Sequence, residues 1–229
     1  TVSGSPQVSR FSPFAPTVST PYSTSTIGGS GYFDGTGDSL VTGSSKTSME
    51  FTNTFTIECW AYNTSFSGGQ LIASINSSWS LRIGATGLFT WYIGGANAGT
   101  SSIAVNLNTW NHFAVVRSGT GTNQFVMYVN GQVAYTGTRS DNITSTNTLY
   151  IGESDTALSG YFSGYIADFR VLKGTALYSS SFTPSVSSFS AIANTVFLTG
   201  NTSTIVDGSS NNFTITMTGT ITVSSNNPF

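Results

Sequence analysis

At residues 124–136 the chain runs Gln-Phe-Val-Met-Tyr-Val, then Asn130-Gly131, then Gln-Val-Ala-Tyr. Two strand-like runs joined by Asn-Gly specify a tight antiparallel hairpin, because the two-residue turn that matches strand twist needs positive φ at both central positions. The same two-residue alternation recurs along the chain. Phe55, Ile57, Cys59 and Ala61 alternate with Thr56, Glu58, Trp60 and Tyr62, and the aromatics on the second face predict a central strand covered on both sides. Trp79, Leu81 and Ile83 share one face; Phe89, Trp91 and Ile93 share another, with Thr90 and Tyr92 opposite. Trp110 to Arg117 and Leu149 to Ile151 read as strands too. Over Tyr165 to Leu172, alternation sends Tyr165, Ala167, Phe169 and Val171 inward and Ile166, Asp168 and Arg170 outward, with Asp168 and Arg170 spaced to pair. No stretch sustains helical spacing. Many short strands with Gly- and Ser-rich turns define an all-β chain, a two-sheet antiparallel sandwich or jelly roll.

Composition narrows the partners. The 229 residues suit one large sandwich. Aromatics at 13% exclude a disordered chain, while charged residues at 7% fall far below the roughly 25% of an ordinary soluble domain. The surface is therefore polar without being charged, built from Ser, Thr, Asn and Gly. Such a surface does not bind nucleic acid, which needs clustered Lys and Arg. No apolar run approaches the roughly 20 residues of a spanning helix, so membrane insertion is not expected. Cys59 is the one cysteine, which excludes an internal disulfide and a cysteine-based zinc site; His112 is the one histidine, which excludes a histidine-rich metal site. Asn-X-Ser/Thr sequons at Asn63, Asn76, Asn142, Asn201 and Asn212 are expected by chance in a chain this rich in Ser and Thr.

The two ends match each other. Residues 1–14 (TVSGSPQVSRFSPF) align without gaps to residues 216–229 (TMTGTITVSSNNPF), with identity at Thr1/Thr216, Gly4/Gly219, Val8/Val223, Ser9/Ser224, Pro13/Pro228 and Phe14/Phe229. One unit cut from a tandem array would leave this pattern. Residues 15–29, rich in Pro, Ser and Thr, read as an extended arm. The expected organisation is 1–29 as linker arm and end of a preceding repeat, 30–184 as the sandwich, and 185–229 as closing strands leading into the next repeat, with neighbouring copies of the repeat as partners.

An ordered motif set now supports a family resemblance. Gly31-Tyr-Phe-Asp-Gly-Thr-Gly-Asp38, Phe55-Thr-Ile-Glu-Cys-Trp60, Trp110-Asn-His-Phe-Ala-Val-Val-Arg117, Tyr128-Val-Asn-Gly131, Gly164 to Tyr178 and Phe182-Thr-Pro184 follow one another along residues 30–184. The series resembles the laminin-G-like (concanavalin A-like) jelly-roll family. Val206-Asp-Gly-Ser-Ser-Asn-Asn-Phe-Thr-Ile215 and the flanking segments are similar to tandem units in structural proteins of tailed bacteriophages. That resemblance implies a non-catalytic repeat module of a virion surface protein, a tail or capsid fibre, adhesive through host glycans. The alternatives are a carbohydrate-binding or adhesin module of a secreted or cell-surface bacterial protein, and a spacer without ligand.

The same resemblance bears on chemistry. Related glycoside hydrolases place two or three carboxylates at alternating positions of one strand. Here nine acidic residues are scattered, and the nearest pair, Glu153 and Asp155, lacks a third, so no catalytic residues are expected. A Ser-His-Asp triad through His112 gives way to a structural strand histidine. Many relatives hold calcium with a last-strand carboxylate, which would fall at Ala167; Asp34, Asp38 and Asp207 read as turn residues bonding backbone, so no metal or other cofactor is assigned, with calcium the alternative left open. A sugar site needs an aromatic platform among neutral hydrogen-bonding groups. The candidates are Trp79, Trp91, Tyr92 and Tyr161, of which the two tryptophans carry core parity.

Overall fold

The structure, a computed structural model, describes residues 29–43, 49–75, 78–144, 147–153 and 160–229. The strands among them are β1 (Ser30–Asp34), β2 (Ser39–Thr42), β3 (Phe55–Asn63), β4 (Gln70–Ile75), β5 (Trp79–Ile83), β6 (Leu88–Ile93), β7 (Ala96–Ala104), β8 (Trp110–Arg117), β9 (Phe125–Val129), β10 (Gln132–Gly137), β11 (Leu149–Ile151), β12 (Ser163–Lys173), β13 (Thr195–Thr199), β14 (Ile215–Thr218) and β15 (Thr222–Ser224). They form two antiparallel sheets. One has the order β10-β9-β8-β3-β12-β1-β15, with β13 also on β12; the other has the order β14-β2-β11-β4-β5-β6-β7. The all-β sandwich expected from the alternation is the fold.

The inward faces make one core. Phe55, Ile57, Cys59 and Ala61 of β3 are fully buried, as their parity requires. Trp79 and Trp91, diagonal neighbours on β5 and β6, stack at 5.3 Å and 19°. Trp91 then meets Phe55 at 6.1 Å and Phe125 at 6.2 Å, which ties the second sheet to the first. The Asn130-Gly131 turn joins β9 to β10 with φ of 51° and 74°, the positive values that the dipeptide specifies.

β3 is central, paired with β8 on one side and β12 on the other, and its second face is covered. The cover is the segment after β12. Tyr178 and Phe182 stack at 3.5 Å over the face, Phe182 packs on Tyr128 at 5.4 Å, and Phe189 meets the His112 ring at 6.0 Å. This strap returns to the sheet through Phe182 N–H, which donates to Gly131 O at 2.8 Å.

β12 departs from simple alternation. Ala167 pairs with Trp60, but the next outward pair is Arg170 with Glu58, so two residues of β12 oppose one of β3. Asp168 sits at this bulge with φ of 51°. The extra residue reverses parity on its N-terminal side. Ile166, not Tyr165, therefore faces the core, while Tyr165 lies outside against Tyr62 at 5.6 Å and Tyr32 at 5.0 Å. Phe169 and Val171, beyond the bulge, face inward as read.

The C-terminal residues complete both sheets. β13 pairs with β12 beyond the end of β1; β14 adds to β2, and β15 adds to β1. Residues 1–28, and with them the N-terminal half of the end-to-end match and the linker arm, lie outside the described residues.

Candidate ligand-binding face

The outward face of the second sheet carries a continuous cross-strand row. Register places Thr216, Val41, Tyr150, Ser74, Ser80, Tyr92 and Asn97 opposite one another in turn from β14 to β7. Two tyrosines thus flank two serines on neutral ground. One pleat along β5, Arg82 lays its guanidinium over the Tyr92 ring, 4.6 Å from the centroid. Parity dictates this meeting: Leu81 and Ile83 point inward, so Arg82 points out, and Tyr92 is its diagonal neighbour on β6. Arg82 Nε and Nη2 are buried and meet no hydrogen-bond acceptor among the described residues. Buried donors left without a partner cost about 1–3 kcal/mol each and call for an explanation such as a ligand or water oxygen. The face is partly roofed: Ser74 and Ser80 are buried, and Ser74 Oγ donates to Glu153 O at 3.1 Å.

The four aromatic candidates separate cleanly. Trp79 and Trp91 are 2% and 0% exposed and belong to the core, so neither ring can offer a face to a sugar; their inward parity decides this. Tyr92 is half-buried on the face just described. Tyr161 is 40% exposed in the connection entering β12.

The aspartates Asp34, Asp38 and Asp207 accept hydrogen bonds from the protein backbone. Asp34 Oδ1 accepts Thr36 N–H at 2.7 Å, and Asp38 Oδ2 accepts Asp34 N–H at 2.9 Å. Asp207 accepts Leu198 N–H and Ser209 N–H on Oδ1, and Phe213 N–H on Oδ2. These are the turn roles that the sequence suggested. Among the described residues, no three His, Cys, Asp or Glu side chains cluster to hold a metal ion. Asp155 lies outside the described residues.

The expected Asp168–Arg170 pair does not form, because the bulge turns Asp168 away. Its Oδ1 accepts Phe189 N–H at 2.7 Å, and its Oδ2 is buried without a hydrogen-bond partner among the described residues. Burial raises its carboxyl to about 7, with the Phe189 N–H and Arg170 charge opposing and the Glu58 charge assisting. Arg170 instead joins a buried cluster that alternation alone does not reveal. Glu58 Oε1 accepts from Arg170 Nε and Nη2; Glu58 Oε2 accepts the Tyr178 hydroxyl at 2.7 Å and lies 3.2 Å from His112 Nε2. His112 is 0% exposed and faces Glu58, not a serine, which removes it from any triad. This cluster fastens the strap to β3, β8 and β12, with Glu58 1% and His112 0% exposed. The signal that finds it is the charged pair on the aromatic face of β3 and its neighbour, but only register brings the two together.

The two-sheet antiparallel sandwich is the fold of a concanavalin A-like module. The chain belongs to the family described as Concanavalin A-like lectin/glucanases superfamily, whose Laminin_G_3 model matches residues 34–181. A search of curated protein sequences gave no match. Among solved structures, a protein from Bacteroides ovatus described as a proposed carbohydrate binding protein aligns with TM-score 0.62 and 18% identity, covering 87% of this chain and 60% of its own. This chain therefore spans about 60% of that protein's length. The heptameric SAP-like pentraxin of Limulus polyphemus aligns with TM-score 0.52 and 16% identity, covering 89% of this chain and 97% of its own.

Proposed function

We propose that this chain is a non-catalytic glycan-binding module, repeated in tandem in a virion surface fibre of a tailed bacteriophage, and that it takes sugar on the outer face of the second sheet. The carrying observation is the Arg82–Tyr92 pair, a half-buried aromatic ring beside a guanidinium on the outer face of the second sheet. Sugar hydroxyls accept hydrogen bonds from guanidinium groups, and aromatic rings supply apolar contact. Family membership, neutral surface chemistry and the carbohydrate binding proposed for the Bacteroides ovatus protein support the reading. The fibre role rests on the end-to-end sequence match and on the resemblance to phage repeat units. A glycan array on the chain tests the first part: retention of some glycans, lost in Tyr92→Ala and Arg82→Ala and kept in Tyr161→Ala, is the expected result, and no retention anywhere overturns it. Mass spectrometry of the source particle tests the second, which fails if the parent polypeptide carries a single such domain and no virion proteins accompany it. The competing reading is an adhesin or carbohydrate-binding appendage of a secreted bacterial protein, favoured by the longer bacterial protein that shares this fold.

A further inference from the structure

The outward face of the first sheet also carries a cross-strand row, and this one is aromatic. Register places Tyr32 of β1 opposite Tyr165 of β12, Tyr165 opposite Tyr62 of β3, and Tyr62 opposite Trp110 of β8. Thr222 of β15 extends the row beyond Tyr32. Each ring meets the next, with centroids 5.0 Å apart from Tyr32 to Tyr165, 5.6 Å from Tyr165 to Tyr62 and 5.7 Å from Tyr62 to Trp110. All four side chains are half-buried, so the rings brace one another and still reach solvent. Three strand spacings of about 4.8 Å make the row roughly 14 Å long. The β12 bulge completes it. Without the residue inserted between Ala167 and Arg170, Tyr165 would take core parity and the row would break at its centre. Asp168 holds that bulge with φ of 51°, and its Oδ2 is buried without a hydrogen-bond partner among the described residues. Strain of this kind clusters where a site fixes the backbone, and bulges re-aim side chains beside such sites.

The surroundings select the ligand. On one side of the row stand Ala167, Trp60 and His112, the last turned to Glu58. On the other stand Asp34, opposite Ser163, and Thr64, whose hydroxyl lies 2.8 Å from that of Ser163. These bordering residues include no lysine or arginine, and their exposed charge is the Asp34 carboxylate. Single-stranded nucleic acid also stacks on aromatic rows, but it needs a positive groove for its phosphates. An anionic sugar would meet Asp34 with no cation to offset it. An uncharged sugar fits: its C–H faces stack on the rings, and its hydroxyls reach Ser163, Thr64 and the Asn226 amide, whose Oδ1 accepts Trp110 Nε1–H at 3.4 Å.

We propose that this row is a second ligand site, a platform for a linear, uncharged oligosaccharide laid across β1, β12, β3 and β8. It shares the glycan chemistry of the reading above, but it lies on the opposite sheet and uses none of the same residues. A sugar chain running across the strands meets one ring per strand, so the ends of the row contribute as well as its centre.

Calorimetric titration of the full chain with cellohexaose and mannohexaose, and with oligogalacturonate as the anionic control, tests this. The expected result is saturable binding of a neutral hexasaccharide in preference to the anionic one. Tyr32→Ala and Tyr165→Ala should each weaken it by about tenfold, while Arg82→Ala and Tyr92→Ala leave it unchanged. Tyr165→Phe keeps the ring and should retain both binding and the urea midpoint, which separates lost contact from lost fold. Tyr32→Ala, at the end of the row, gives the same reading where Tyr165→Ala unfolds. Binding lost in Arg82→Ala or Tyr92→Ala but kept in Tyr32→Ala and Tyr165→Ala overturns the proposal and leaves the second-sheet site standing; the converse pattern retires that site and keeps this one. Failure of both neutral sugars to bind, or preference for the anionic one, overturns it too. So does a dimer that Tyr32→Ala dissociates, which would assign the row to a second copy.

Discussion

Arg170 grips Glu58 through Nε and Nη2, at 2.9 and 2.6 Å from the same carboxylate oxygen, across the β3–β12 ladder and beneath the strap. Its third nitrogen, Nη1, donates to Ser190 O at 3.0 Å, and its plane lies 4.4 Å from the Phe189 ring. The pair therefore holds residues 174–192 on the outer face of the first sheet. Removing one partner of a buried pair strands the other charge, which costs more than the pair contributes.

Glu58→Gln should accordingly destabilise the fold by about 3–5 kcal/mol, read as a lower urea midpoint. The pH dependence gives a second readout. Burial pushes the Glu58 carboxyl up, but the His112 hydrogen bond and charge, the Arg170 charge and the Tyr178 hydroxyl together hold it below the ordinary glutamate value. A depressed carboxylate contributes stability above its unfolded value and loses it as pH falls through the folded one. The parent chain should weaken below about pH 4.5, and the Gln variant should lack that part of the decline.

Asp168 has the opposite sign. Burial lifts its carboxyl to about 7, so the folded state holds a proton that the unfolded chain releases near 4. Its stabilisation is full below the unfolded value and is lost as pH rises toward 7. Asp168→Asn keeps an acceptor for Phe189 N–H and suits the positive φ. The variant should gain on the order of a few kcal/mol over the parent at pH 8 and show a flatter profile from pH 4 to 8. A parent chain whose stability rises across that interval would refute this account of Asp168.

These two carboxylates also mark where the sequence is legible. The hairpin at Asn130-Gly131 and the inward faces of β3, β5 and β6 follow from local chemistry, so alternation and turn type suffice to read them. Trp79 and Trp91 carry their burial in their parity. The bulge at Asp168 does not show in the alternation, because an inserted residue leaves the hydrophobic pattern plausible in either phase. Reading through it assigns Tyr165 to the wrong face and gives Arg170 the wrong partner. The Arg82–Tyr92 contact joins residues ten apart on neighbouring strands, and only the β5–β6 register decides that they meet.

Cys59 offers a check on the core. It is 0% exposed, burial pushes its thiol well above the ordinary value, and the charges of Glu58 and Asp168 add to the shift. Thiolate is the reactive form, so a thiol reagent should leave the native chain unlabelled at pH 8 and label it fully in denaturant. The labelling rate in intermediate denaturant should follow global unfolding, since β3 is paired on both edges and Cys59 faces the core. Rapid labelling of the native chain would mean that β3 is not central.

Gly131 serves two partners, and its replacement should cost more than a turn. Its φ of 74° alone penalises Ala by about 1–2 kcal/mol. Gly174, with φ of 86° and open space where a Cβ would go, isolates that penalty, so Gly174→Ala should lose about this amount and no more. At Gly131 the new Cβ would run into the Phe182 carbonyl, while Phe182 N–H bonds Gly131 O. Relief requires the strap to lift, which breaks the Phe182–Tyr178 stack and draws the Tyr178 hydroxyl off Glu58. Gly131→Ala should therefore cost at least twice as much as Gly174→Ala in denaturant titrations. Most of the excess should vanish in a Phe182→Ala background, where a smaller side chain lets the strap shift. Equal losses at the two glycines would show that the strap is not seated on the hairpin.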